Sequence, residues 1–593
     1  MSESEKLLQS SAVVRQRTRT RWPSLAVICL VVVLLFISLN AKLQLLAFPL
    51  SLISEPPRPP PDACPQPAPL FPTRRNAAIW ETIRTQTASD AFKLGPGGAL
   101  ELLAGAVRIP TESYDDMHPV GVDPRWEVFA DFHAYLARVF PRVHTTLKLR
   151  KINTYGLWFE WPGADPSLKP VLFMGHQDVV PVEPTTVGEW THPPYSGYFD
   201  GHRIWGRGSA DDKNGLVGIL IALETLLQNG FTPTRTLVAA FGFDEEASGL
   251  EGAGALAGAL LTAYGEDGVA FILDEGDGIV NTFGTALAYP CVAEKGYLDV
   301  VVEVTSPGGH SSVPPEHTTI GILAALLVQY EANPYPVRLS RGSTPLQTLQ
   351  CLAQHGGSAL PPAIRALILA APHSDEALRA LEGILAKDRL YRSQLATTQA
   401  VDVVRGGVKA NALPEAAHAV VNHRILTESS VAEVRAHNIA ALRPLAERFN
   451  LSFTAFGVAE QGAPGTARGT LALRDMYDAL EPAPVSPRDS SAYELLSGSI
   501  KAAYGTRRGA ANGSDTVVVA PAVLVGNTDT QFYWKLSPHI FRYGHGNAAA
   551  GLRPDEILDK IHTVDESIDA DDFVEMIRFF ITLVLNADES VVL

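Results

Sequence analysis

The chain has 593 residues, 46% hydrophobic and 19% charged, enough apolar material for a sizeable core and for more than one domain. Its formal net charge of -16 argues against a nucleic-acid surface, which needs clustered Lys and Arg to meet phosphates. Four cysteines, at positions 29, 64, 291 and 351, are too few for a disulfide framework; a bond among the last three is possible, with its pairing left open.

Pro23 to Leu39 carries no charge and, with its flanks, reaches the roughly 20 residues that cross a bilayer as a helix. Arg15, Arg17, Arg19 and Arg21 precede it and Lys42 stands alone after it, which predicts a cytosolic N-terminus and a lumenal remainder. A cleaved signal peptide is the competitor, but the run is long for one and no clear small-x-small site follows. Asn450-Leu-Ser452 and Asn512-Gly-Ser514 are glycosylation sequons that suit a lumenal domain. Next come Glu55-Pro-Pro-Arg-Pro-Pro-Pro-Asp62 and Pro65-Gln-Pro-Ala-Pro69, a Pro-rich stalk of extended geometry. The expected organisation is a cytosolic tail (1–21), a transmembrane anchor (22–40) and a stalk (41–94). A first catalytic segment (95–294), an insert of lid or dimerisation type (295–464) and a second catalytic segment (465–593) follow.

From about residue 95 helices and strands alternate. Phe129 to Phe140 has helical apolar spacing, while Leu157 to Trp161 and Val171 to Met174 read as strands. Leu216 to Leu227 reads as a helix, and Thr236 to Phe243 and Val269 to Leu273 as further strands. This predicts an α/β catalytic domain with a mostly parallel central sheet flanked by helices. Tyr297 to Thr305, Ala417 to Leu426 and Leu451 to Phe456 alternate like half-exposed strands, predicting a smaller α+β insert that interrupts the main sheet. The main domain resumes with the strand Val517 to Val525 and a closing helix, Asp571 to Leu585. Residues 345 to 400 are helical and have no assigned role.

The chemistry gathers at strand ends, where open α/β sheets bind ligands. Val171-Leu-Phe-Met-Gly-His-Gln-Asp178 ends in two polar side chains two apart, so the Asp178 carboxylate lies near the His176 ring. Such a carboxylate fixes the imidazole tautomer and leaves the other nitrogen for a metal; alone, the triplet reads more readily as a hydrogen-bonded loop pair. Asp211 and Asp212 in Gly206-Arg-Gly-Ser-Ala-Asp-Asp-Lys213 precede an apolar helix, and simple capping explains them equally. Asp244-Glu-Glu246 and Asp274-Glu275 end apolar strands, and Ile561-His-Thr-Val-Asp-Glu566 precedes the closing helix. His176, Asp211, Glu246, Asp274 and His562 together offer two imidazoles and three carboxylates, a set suited to zinc. One shared carboxylate with two ligands per ion makes a two-metal site, leaving Glu245 as the base for water.

These motifs, with Gly308-Gly-His310, resemble the dizinc exopeptidases, the family that includes aminoacylase, bacterial glutamate carboxypeptidase and succinyl-diaminopimelate desuccinylase. The anchor and Leu273-Asp-Glu-Gly276 are most similar to its vacuolar Gly-Xaa carboxypeptidase branch. The resemblance covers about residues 95 to 593 and implies two Zn2+ per chain. It implies that His176 and Asp274 bind one ion, Glu246 and His562 the other, and that Asp211 bridges them. Asp178 then orients His176, and Glu245 is the general base. His310 is implied as the oxyanion stabiliser, which dimeric relatives take from a partner, so a homodimer is expected. Asn411 and Arg424 are implied as substrate-carboxylate contacts and Thr528 as part of a substrate-binding loop. Asp274 is preferred to Glu275 because relatives place an acid directly after the apolar strand. The expected activity is release of C-terminal residues from small peptides in a vacuolar lumen, with hydrolysis or synthesis of N-acyl amino acids as the alternative. An inactive binding ectodomain is a remote third reading.

Overall fold

Unbroken apolar runs form the central sheet, because a strand covered on both faces buries every side chain. The computed structural model describes residues 63–461, 468–507, 516–546 and 561–593, all inside the unit Arg58–Leu593. The expected tail and anchor, Glu55 to Asp62 and the sequon Asn512-Gly-Ser514 lie outside the described residues. Among the described residues no helix is long and apolar enough to cross a membrane.

The chain first lays down β1 (Lys148–Ile152), β2 (Gly156–Trp161), β3 (Val171–His176), β4 (Leu237–Gly242), β5 (Phe271–Asp274) and β6 (Cys291–Glu294). It then builds a second sheet from β7 (Gly296–Thr305), β8 (Ala400–Gly406), β9 (Ala416–Ile425), β10 (Leu451–Ala455), β11 (Val458–Gln461) and β12 (Gly469–Asp475). It returns to the first with β13 (Ala522–Leu524) and β14 (Ile540–Arg542). The large sheet has eight strands in the order β1-β2-β4-β3-β5-β14-β6-β13. Its centre is parallel, from β4 through β3 and β5 to β14. Its margins are mixed: β1, β2 and β4 pair antiparallel, as do β6 and β14. The parallel expectation therefore holds for the strands that carry the site and fails towards the edges.

Alternation along the strands divides the core in two. Val171 and Phe173 pack with Leu237 and Phe271 beneath α4 (Lys213–Gln228) and the last helix, Ala570–Glu589. Leu172 and Met174 pack on the other face with Val238 and Ile272 beneath Ala253–Tyr264. The expected single strand Val517 to Val525 is broken: Val518–Val519 joins Thr285–Ala288 in a small sheet, and Ala522–Leu524 joins β6. Pro521 sits at the break, where its missing N–H cannot continue a ladder.

Two boundaries differ from the expected ones. Residues 63 to 94 are not stalk. Gln66 pairs with both backbone groups of Val519, Leu70 N–H reaches Gly498, and the helix Ala77–Thr87 buries Trp80 and Ile83 in the main core. The insert runs past 464, because β12 completes its six-stranded sheet, ordered β8-β9-β7-β12-β10-β11. Thr319–Ala332 and Val431–Arg448 cover that sheet. The chain crosses between lobes at 294–297 and 480–483, two segments in close contact. A Cβ on Gly296 would lie 2.3 Å from the Leu480 carbonyl, so only glycine fits there.

The helices α5 (Thr344–His355), α6 (Pro362–Ala370), α7 (Asp375–Leu385) and α8 (Arg389–Leu395) fall inside the expected insert by sequence but pack elsewhere. Their apolar faces share a core with Leu287, Val518 and Ala520 of the main lobe. A disulfide, Cys64–Cys351, staples this helical unit to the start of the folded body, and Cys291 is a buried free thiol.

Candidate metal centre

β3 ends at His176, and the following turn brings Asp178 back beneath the ring. Asp178 Oδ1 lies 3.1 Å from His176 Nδ1, leaving Nε2 to face the cleft. Asp178 is fully buried and does more than orient this ring. It accepts from Ser113 Oγ at 2.6 Å and from the backbone N–H groups of Glu245 and Glu246 at 3.2 and 3.1 Å. One carboxylate thus fixes both the imidazole and the turn after β4 that carries the two glutamates.

Asp211 stands just before α4 and meets both histidines. Its Oδ1 lies 3.1 Å from His176 Nε2 and its Oδ2 lies 3.0 Å from His562 Nε2. His562 Nε2 also lies 3.1 Å from Glu246 Oε1. His562 adopts φ +63°, a left-handed backbone that non-glycine residues take mainly where surrounding structure demands it.

Three overlapping sets of potential ligand atoms result: His176, Asp211 and Glu275; His176, Glu245 and Glu246; and Asp211, Glu246 and His562. Within each set the atoms lie within 4.8 Å of one another. Glu275, not Asp274, completes the first. Glu275 Oε1 is 3.6 Å from His176 Nε2. Asp274 still belongs to β5 and follows its alternation, so its buried carboxyl turns away from the sets, with Oδ2 lacking any partner among the described residues. The choice of Asp274 as ligand is therefore corrected to Glu275, the residue past the strand end.

Electrostatics express the crowding. Burial tends to discharge the His176 ring, but Glu275, Asp178 and Asp211 push its pKa well above the usual imidazole range. Hydrogen bonds accepted by Asp211 and Glu246 push His562 up to about 10. Burial raises Glu245, Glu246 and Glu275, and neighbouring carboxylates add to it. Asp211 goes the other way: despite burial, two histidines hold it below the carboxylate range. A dense knot of nitrogen and oxygen donors that holds its charge by sharing protons is a donor set that suits a borderline divalent cation.

Two supporting acids were not singled out from the sequence. Glu566 is buried; its Oε1 accepts from Gly208 and Ala210 N–H at 2.9 and 3.0 Å while Oε2 pairs with Arg207, so it pins the loop that presents Asp211. The signal was its place at the end of the His562 motif. Asp529 is buried against the turn after β4, where a Cβ on Gly242 would lie 2.5 Å from its Oδ2. It comes from the Gly526–Asp529 loop, and the Glu245 carboxylate adds to burial in raising its pKa.

The remaining expected site residues divide. Thr528 is buried and its hydroxyl donates to Glu294 at 2.7 Å, so a substrate contact through that hydroxyl is corrected to a structural bond. Arg424, on β9, donates to Asn527 of the same loop. His310 lies on the exposed short strand Gly309–His310, which pairs with Ala412–Leu413, and Asn411 stands just before that second strand, its carbonyl accepting from Ser311 N–H. His310 Nδ1 faces Ser312 Oγ at 2.7 Å, and among the described residues neither His310 nor Asn411 hydrogen-bonds to the cluster of its own chain.

Residues 172–586 match the sequence profile of peptidase family M20/M25/M40. Carboxypeptidase S of Saccharomyces cerevisiae is 40% identical over 499 residues, 83% of this chain and 84% of that protein. An N-fatty-acyl-amino acid synthase/hydrolase of Homo sapiens is 32% identical over 496 residues, 82% of this chain and 87% of that protein. The fold is similar to that of human carnosine dipeptidase 1, with TM-score 0.58 and 15% identity, covering 89% of this chain and 100% of that one.

Proposed function

The chain belongs to peptidase family M20/M25/M40, and from that membership we propose a zinc carboxypeptidase that releases C-terminal residues from small peptides of Gly-Xaa type. The observation that carries the reading is Asp211, whose two oxygens face the two histidines. We infer two zinc ions per chain, one held by His176 and Glu275, one by Glu246 and His562, with Asp211 between them. When bound, zinc supplies a Lewis acid and lowers the pKa of a coordinated water towards neutrality.

The chain's own residues do the rest. Glu245 lies beside His176 and Glu246, and burial pushes its carboxyl above the usual carboxylate range, the direction that suits a general base. It takes the proton from the attacking water and delivers it to the leaving amine. Arg424 offers a planar cation with no carboxylate partner among the described residues, a match for the free C-terminal carboxylate of a peptide. His310, with Asn411 beside it, supplies a donor to the developing oxyanion. Its exposed strand supports delivery from a second copy of the chain, hence a homodimer.

Lumenal placement is part of the proposal. The buried disulfide Cys64–Cys351 suits an oxidising compartment. Asn450 is exposed between Val431–Arg448 and β10, where a glycan is accommodated. The vacuolar destination and the anchor at Pro23 to Leu39 rest on the sequence alone.

The second reading, hydrolysis or synthesis of N-acyl amino acids, is favoured by the 32% identical synthase/hydrolase. Both substrates end in a free carboxylate, so Arg424 serves either. A panel comparing Gly-Leu-type dipeptides with N-acyl-leucines, with and without chelator, decides. Chelator-sensitive turnover dominated by dipeptides is expected; dominance of acyl-leucines selects the second reading.

A further inference from the structure

One set of polar contacts lies at the junction of the two lobes, apart from the candidate metal ligands. Lys295 separates β6 from β7 and so sits in the crossover itself. Its side chain is 1% exposed, and Nζ donates to the carbonyls of Ser393 and Ala396 at the C-terminal end of α8, both at 2.8 Å. A cation at a helix C-terminus is favourable, yet this one has no carboxylate partner among the described residues. The acid next to it, Glu294, is committed to Arg542. Burial, with Arg424 as the neighbouring cation, pulls the Lys295 ammonium down to about 7.

Asn527 joins the two. Its Nδ2 donates to the Lys295 carbonyl at 2.6 Å, which fixes the amide so that Oδ1 is left to accept from Arg424 Nη1. Arg424 is also held through its backbone: Thr398 N–H donates to its carbonyl at 3.0 Å and its own N–H meets Thr398 Oγ1 at 3.3 Å. Thr398 lies just beyond Ala396, so the contacts close into a ring: α8, Lys295, Asn527, Arg424, Thr398 and back to α8. The loop that carries Asn527 is itself anchored, with Thr528 and Thr530 donating to the two oxygens of Glu294.

We propose that Asn527 and Lys295 are positioning residues that preset the Arg424 guanidinium for the substrate carboxylate, and that the α5–α8 unit acts as the brace for this ring. The inference deepens the reading of Arg424 as the carboxylate anchor and rests on it. An arginine free to rotate must be ordered at each binding event; one held by an oriented amide is ordered beforehand, which lowers KM without touching the proton transfers at Glu245. The helical unit thereby acquires a function: its α8 carbonyls hold the lysine whose backbone holds the amide.

The test is a kinetic double-mutant cycle on the full-length enzyme with a Gly-Leu-type dipeptide, using Asn527→Ala, Arg424→Ala and the double variant. Asn527→Ala should raise KM by about ten-fold, the scale of one hydrogen bond to a charged group, with kcat within about two-fold. Arg424→Ala should raise KM further, and adding Asn527→Ala to it should change nothing more. Lys295→Met should follow Asn527→Ala in KM; if it does not fold, the Asn527 cycle still decides. Unchanged KM in Asn527→Ala, or full additivity with Arg424→Ala, overturns the proposal while leaving the carboxylate anchor intact. Unchanged KM in Arg424→Ala overturns both.

Discussion

Asp211 presents one carboxylate oxygen to His176 at 3.1 Å and the other to His562 at 3.0 Å, joining the end of β3 to the turn before the last helix. Among the described residues no other acid pairs with both imidazoles. A carboxylate so divided is the arrangement a bridging ligand requires, and it gives each neighbouring acid a distinct place.

Glu275 and Asp274 offer the sharpest separation of neighbours. Glu275→Gln should lower metal content and cut kcat/KM by at least about 100-fold, because it removes a charged ligand at 3.6 Å from His176. Asp274→Asn should leave metal content close to that of the parent. Metal analysis of the two purified variants checks this, and the reverse pattern restores Asp274 as the ligand.

Glu245→Gln should keep the metal and lose turnover by about 10²–10⁴-fold, the range of general-base catalysis. Its side chain is not the bridging one, so the change removes proton transfer rather than the site. Rapid turnover in a fully metallated Glu245→Gln enzyme removes Glu245 from the base role.

Metal affinity should depend steeply on pH. His562 is pushed up to about 10 by its two carboxylate partners, and burial raises Glu245 and Glu275. Groups with raised pKa hold protons more tightly, and a cation must displace them. Affinity therefore falls as pH falls, by about ten-fold per pH unit for each proton released. Zinc titrations against a competing chelator at about pH 6 and pH 8 measure it; equal Kd values contradict it.

Reduction should weaken the folded body through the helical unit. Cys64–Cys351 closes a loop with a sequence separation of 287, and its loss, by reductant or Cys351→Ser, should cost about 2–5 kcal/mol. A lower Tm with little change in metal content is expected. An unchanged Tm shows that the apolar core around Leu349 and Leu352 suffices.

Much of this was legible in the sequence, for identifiable reasons. Buried parallel strands announce themselves as apolar runs, and their ends are where ligands gather, so pattern singled out His176, Asp211, Glu245, Glu246 and His562 as candidates, and the fold brings them together. The Asp274–Glu275 choice failed because it turns on where β5 stops: one residue of strand more or less exchanges the two faces. Gly469–Asp475 was assigned to the wrong lobe because a strand's periodicity says which face is buried but not which sheet it joins. Residues 77–94 were absorbed into the stalk because the Pro-rich segment before them set the expectation. Thr528 points inward because Glu294 needs its hydroxyl, a buried demand from residues far away in sequence. No local pattern carries such information.

The most direct measurement is the metal content of the purified full-length protein and of its Asp211→Asn variant, with folding checked by Tm. About two divalent ions per chain are expected in the parent, with both lost or weakened together in the variant and activity lost with them. Two ions retained by Asp211→Asn, or a parent enzyme that turns over peptides while binding none, contradicts a shared carboxylate at the centre of this site.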